Sequence, residues 1–114
     1  MPTYFLKPSD QKRLGFTKLI IRRERLPQSQ GTRYDVAFYD GHNPALSLGS
    51  IIVRKVNDGI MGRNWDVSLS VDRKSPMQFE IPRSKTRREA LNKLQRDLKE
   101  FFRYEYGLKL PIRL

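Results

Sequence analysis

The apolar pattern of the chain predicts an α+β fold: a twisted antiparallel sheet of four to five strands, followed by one long C-terminal helix packed on one face. Three observations carry this. Short segments within residues 16–82 alternate apolar and polar side chains with a period of two and are separated by turn residues. Residues 84–106 repeat apolar side chains at helical spacing instead. The segments between the strands are too short for crossover connections, so consecutive strands run antiparallel. The 114 residues are expected to form a single domain around one core.

Taken in order, residues 1–13 offer Tyr4, Phe5 and Leu6 before Pro8, which suits an edge strand or an arm, and then a stretch of loop composition. Residues 16–26 read as a strand, with Leu19, Ile20 and Ile21 followed by Arg22, Arg23 and Arg25, and Pro27 stops it. Tyr34, Val36 and Phe38 alternate with Arg33, Asp35 and Ala37, so a hairpin is the simplest connection. Asp40-Gly41-His42-Asn43-Pro44 is a turn cluster. Leu48, Ile52 and Val56, with Ile51 and Val53 between them, form a strand that is apolar on both faces and hence interior. Residues 57–62 have the composition of a loop or finger with two glycines. Trp65, Val67, Leu69 and Val71 make the clearest strand, and Met77, Phe79 and Ile81 a short fifth one ended by Pro82.

The helix is the element around which the rest is organised. Leu91, Leu94, Leu98, Phe101 and Phe102 fall on one side of it, Thr86 and Glu89 have capping-box spacing, and Gly107 closes it. Lys85, Arg88, Asn92, Arg96, Lys99 and Arg103 form a second, basic stripe on the same helix. Residues 108–114 then alternate Leu108, Leu110, Ile112 and Leu114 with polar residues. Such a tail is covered either by the chain's own core or by a second copy, and a homodimer is the expected outcome.

Lys and Arg number 23 against 12 Asp and Glu, a net charge of +11, which calls for an anionic partner. With no cysteine and one histidine, His42, placed in a turn, neither a nucleophile with its base nor a metal triad can be drawn. The chain is therefore expected to be non-enzymatic and to need no cofactor or metal. Asp66 and Glu80 could approach on neighbouring strands as in a metal-dependent nuclease, but Pro82 stands where such enzymes usually place a lysine. Residues 1–12 hold no hydrophobic stretch long enough for a signal peptide, and no run approaches a membrane span. A cytoplasmic setting, in nucleoid or host cytoplasm, is the expectation.

The basic residues are the main signal. Arg22, Arg23, Arg25 and Arg33 come from one hairpin and Arg54, Lys55 and Arg63 from the next. Arg73, Lys74, Arg83, Lys85, Arg87 and Arg88 lie on the approach to the helix, and Arg96, Lys99 and Arg103 lie along it. Such charges neutralise phosphates without special spacing. Most of the interleaved aromatics are needed for the core, which leaves Tyr39 and Trp65 as candidates for stacking on unpaired bases.

Sheet first and helix after, with Arg33-Tyr34-Asp35-Val36 followed by Leu48-Gly49-Ser50-Ile51, the chain resembles small single-strand nucleic-acid binders of the Whirly, Pur-alpha and positive-cofactor-four types. It departs from the last in placing two further expected strands between Ile51 and the helix. The resemblance implies a dimer whose helices pack together and whose sheets hold single strands. The expected function is thus binding of single-stranded DNA or RNA on a basic sheet surface. The alternative is a small basic regulator or inhibitor, of phage or mobile-element accessory type, that binds an acidic protein surface.

Overall fold

The computed structural model describes residues 2–28, 30–59, 62–70, 77–78 and 80–114, and of Asp58, Arg63 and Ser70 the backbone alone. Its elements are β1 (Thr3–Phe5), α1 (Pro8–Leu14), β2 (Lys18–Arg25), β3 (Thr32–Asp40), β4 (Asn43–Asp58), β5 (Gly62–Ser70) and α2 (Arg87–Tyr106). The strands form one antiparallel sheet in the order β1-β2-β3-β4-β5, and α2 lies against one face.

Strand alternation decides which side chains that face buries. Leu19 and Ile21 of β2, Tyr34, Val36 and Phe38 of β3, Ile51 and Val53 of β4 and Val67 of β5 meet Ala90, Leu91, Leu94, Leu98, Phe101 and Phe102 of α2 in one core. In β4 the register shifts at Leu48, because Val36 pairs with Gly49 and Ala37 with Ser47. Gly49 accommodates the kink at φ 122°, and the shift brings both Leu48 and Ile51 to the buried side. Phe38 is the hub of the aromatic packing. It stacks on Phe16 at 4.7 Å between centroids and meets Phe102 and Tyr106 edge-on at 5.7 and 4.9 Å.

The start of α2 is fixed from two sides. Ser84 exchanges both backbone hydrogen bonds with Trp65, at 2.7 and 3.0 Å, so the chain is extended there and the helix begins at Arg87 rather than 84. Thr86 Oγ1 then accepts from the Glu89 amide at 3.2 Å, as the capping spacing predicts. The Glu89 carboxylate lies 3.5 Å from Lys93 Nζ. At the other end Gly107 takes φ 64° and donates to the Arg103 carbonyl.

Three expectations are corrected. Residues 1–13 hold the edge strand β1 and also the helix α1, which buries no residue and so leaves no apolar period to read. Its signal is Pro8 in the first turn and Gly15 at φ 82° after the last. Residues 77, 78, 80 and 81 are not a fifth strand. Met77 and Ile81 are nonetheless buried, so their alternation reflects burial against the core and not membership of a strand. One strand, not two, therefore separates β4 from α2 among the described residues. Phe79, Val71, Asp72 and the expected turn at Arg73 to Pro76 lie outside the described residues, as do Ile60 and Met61 of the expected finger.

The tail is covered within its own chain. Leu108 and Ile112 are fully buried, Leu114 N donates to Gln95 Oε1 at 3.0 Å, and Tyr4 Oη bonds both backbone groups of Arg113. Arg13 ties α1 to the end of α2 by donating to the Tyr106 carbonyl at 2.6 Å. Two of the tail's four apolar residues, Leu108 and Ile112, are thus used inside one chain, while Leu110 and Leu114 are half-buried. Ile112→Ala should cost about 2–5 kcal/mol of stability, measured by urea denaturation, because it opens a cavity in the core. A change within about 0.5 kcal/mol, usual for a surface substitution, would mean that the tail is not docked.

Candidate nucleic-acid interface

The face covered by α2 changes character along its length. On β2 the inward residues run Leu19, Ile21, Arg23, Arg25, and on β4 they run Ile51, Val53, Lys55. On β5 they run Leu69, Val67, Trp65. The period of two is kept while the residue type switches from apolar to basic, at the level where α2 begins. There the uncovered end of the sheet forms a cleft of ≈ 700 Å³.

Four cations line this cleft: Arg23, Arg25, Lys55 and Arg87. No carboxylate lines it, and none of the four has an ion-pair partner among the described residues. Trp65, half-buried and packed against the core, supplies an aromatic wall, and the β2–β3 turn supplies Leu26, Pro27 and Gln28. The turn is clamped to the sheet by Gly31. With φ 104° and an added Cβ falling 2.4 Å from the Val53 carbonyl, no other residue fits there without displacement. The cleft is therefore a preformed basic hollow beside an indole ring.

The opposite, open face is electrostatically different. Arg33 pairs with Glu24 and, at 3.4 Å, with Asp35, which also accepts from the Ser50 hydroxyl. Arg54 stands across the ladder from Asp66, whose carboxylate accepts from Ser68 Oγ at 2.9 Å and lies 3.7 Å from Arg83 Nε. Arg22 stands across from Asp35. Tyr39 lies in one cross-strand row with Lys18 and Phe5, and the Lys18 ammonium is 5.8 Å from the Phe5 ring centroid. At 75% exposure, Phe5 is an aromatic of this face that sequence reasoning did not name for stacking.

The structure accordingly divides the expected site. Arg23, Arg25, Lys55 and Trp65 come together in the cleft. Arg22, Arg33, Arg54 and Tyr39 lie on the open face, away from it. Arg88, Arg96, Lys99 and Arg103 are exposed along α2, with Arg96 3.7 Å from Asp97. Arg73 and Lys74 lie outside the described residues, and the side chain of Arg63 is not described. Arg87 and Gln28 complete the cleft. Neither has a sequence signal of its own, since their positions depend on the Trp65–Ser84 bridge and on the turn.

Asp66 and Glu80 are not brought together as a pair: Asp66 belongs to the open face, while Glu80 lines a hollow beside Val67 and Leu69 on the other. Among the described residues, no group of three or more His, Cys, Asp or Glu could hold a metal ion. No helix among the described residues is long and apolar enough to cross a membrane. Comparison with protein-family models, with curated proteins and with solved structures finds no match.

Because the cleft cations make no ion pair or side-chain hydrogen bond among the described residues, the triple substitution Arg23→Ala, Arg25→Ala, Lys55→Ala should leave stability within about 0.5 kcal/mol of the parent or raise it by relieving like-charge repulsion. Arg33→Ala, which strands Glu24 and Asp35, should lower the urea midpoint. A large loss in the triple variant would show that the cleft is structural.

Proposed function

We propose that the protein is a non-enzymatic nucleic-acid-binding protein that takes a single strand of DNA or RNA into the basic cleft at the uncovered end of the sheet. One observation carries this reading: among the described residues, four unpaired cations and the indole of Trp65 line one hollow without a carboxylate. Arg23, Arg25, Lys55 and Arg87 neutralise phosphates, and Trp65 receives an unpaired base, which a paired one inside a duplex cannot offer. Arg88, the next residue along α2, extends the positive surface beyond the cleft.

A second reading, an acidic protein surface as partner, has its own support. Lys99, Arg103 and Lys109 line a shallow hollow of ≈ 340 Å³ with Leu108, Leu110 and Pro111. It contains no aromatic ring for a base, and its aliphatic floor suits an acidic segment carrying an apolar anchor.

Trp65 is the sole tryptophan, so its fluorescence reports the cleft directly. Titration with a single-stranded oligonucleotide should quench it, more tightly than with a duplex of the same sequence. If the four cleft cations each neutralise one phosphate, the slope of log affinity against log salt should be about −3, at about −0.7 per contact on a single strand. The slope should flatten in the Arg23→Ala, Arg25→Ala, Lys55→Ala variant. Binding that ignores salt, or is confined to an acidic peptide, would reject the reading.

A further inference from the structure

The β2–β3 turn that walls the cleft contains a residue that turn geometry does not explain. Gln28 has φ 55°, the sole non-glycine with positive φ among the described residues. The turn is closed by Gln30 N donating to the Pro27 carbonyl at 3.2 Å and anchored by Leu26 N donating to the Gly31 carbonyl at 2.8 Å. A left-handed turn position is usually filled by Gly, Asn or Asp, which hold it with little strain. The chain instead places a glutamine there. Its side chain is exposed, lines the cleft and has no hydrogen-bond partner among the described residues. Strain held at a site, together with an unpaired amide beside an aromatic wall and phosphate-binding cations, is the arrangement of a group positioned for a ligand.

Resting on the single-strand reading above, we infer that Gln28 reads the edge of a base stacked on Trp65 and that it favours adenine over the pyrimidines. A carboxamide offers one donor and one acceptor side by side. Adenine presents the complementary pair on both free edges, its N6 amino group next to N7 on one and next to N1 on the other, so the amide pairs whichever edge the stacked base turns toward it. Cytosine, uracil and thymine offer a matching donor and acceptor on the pairing edge alone, so the advantage of adenine is over the pyrimidines. The cleft volume of ≈ 700 Å³ lies within the range of pockets that enclose a small ligand, which limits readout to one or two nucleotides. The cations contribute affinity that ignores sequence, and Gln28 contributes the difference between bases.

The test compares oligo(dA), oligo(dT) and oligo(dC) of equal length by Trp65 quenching, in the intact protein and in Gln28→Gly. Glycine keeps the positive φ without strain and removes only the amide, so the variant folds at least as stably as the parent, which a thermal melt checks. The parent should bind oligo(dA) about tenfold more tightly than the pyrimidine strands, within the range of one good bidentate contact. In Gln28→Gly the three affinities should converge with the salt slope unchanged, and Gln28→Asn, which retains an amide, should keep part of the preference. Equal affinities in the parent, or a preference that survives in Gln28→Gly, would overturn the inference while leaving single-strand binding in place. No binding to any strand at low salt would overturn both.

Discussion

The molecule depends on one mismatch of lengths. A helix of 20 residues spans about 30 Å, whereas β4, with 16 residues, spans about 50 Å. The apolar seam of α2 therefore covers only part of the sheet face, and the bridge between Trp65 and Ser84 determines which part by forcing the helix to start at Arg87. Where the helix lies, the inward residues are Leu19, Ile21, Val36, Phe38 and Ile51. Where it does not, they are Arg23, Arg25 and Lys55. The elongated shape, 51 × 27 × 25 Å, is the visible result.

The same constraint separates the charges into two kinds. Cations on the open face stand opposite Glu24, Asp35 and Asp66, so their field is largely cancelled within the sheet. Those in the cleft have no such neighbours among the described residues, and a concave, partly apolar wall concentrates their potential where an anion would enter. Net charge alone does not distinguish the two faces; the registers between β2, β3, β4 and β5 do. An arginine at position 22 and one at position 23 differ little in sequence and face opposite sides of the molecule.

How much of this was legible in the sequence follows from how local each signal is. The α2 seam, the Thr86 cap and the Gly107 stop are written within a few residues of each other and appear as expected. So does the alternation of β3, while the turn expected over residues 40–44 is narrowed to Gly41-His42, with Asn43 and Pro44 already in β4. Helix α1 has no buried side, so its amphipathic signal is absent, and Met77 and Ile81 imitate the alternation of a strand because both are buried in the core. The cleft was legible only in pieces: Arg23, Arg25, Lys55 and Trp65 could be named as candidates, but their separation from Arg22, Arg33, Arg54 and Tyr39 needs the face of each strand. Arg87 and Gln28 needed the bridge and the turn geometry, which no periodicity encodes.

The central claim is that the strand enters the cleft and not the open face of the sheet. Backbone and indole chemical shifts of the labelled protein, followed by NMR during titration with a single-stranded oligonucleotide, separate the two directly. The account predicts shifts concentrated at Arg23, Arg25, Gln28, Gly31, Lys55, Arg87 and the Trp65 indole. Shifts concentrated at Phe5, Lys18, Arg22, Asp35, Tyr39 and Ser50, with the Trp65 indole unmoved, would contradict it.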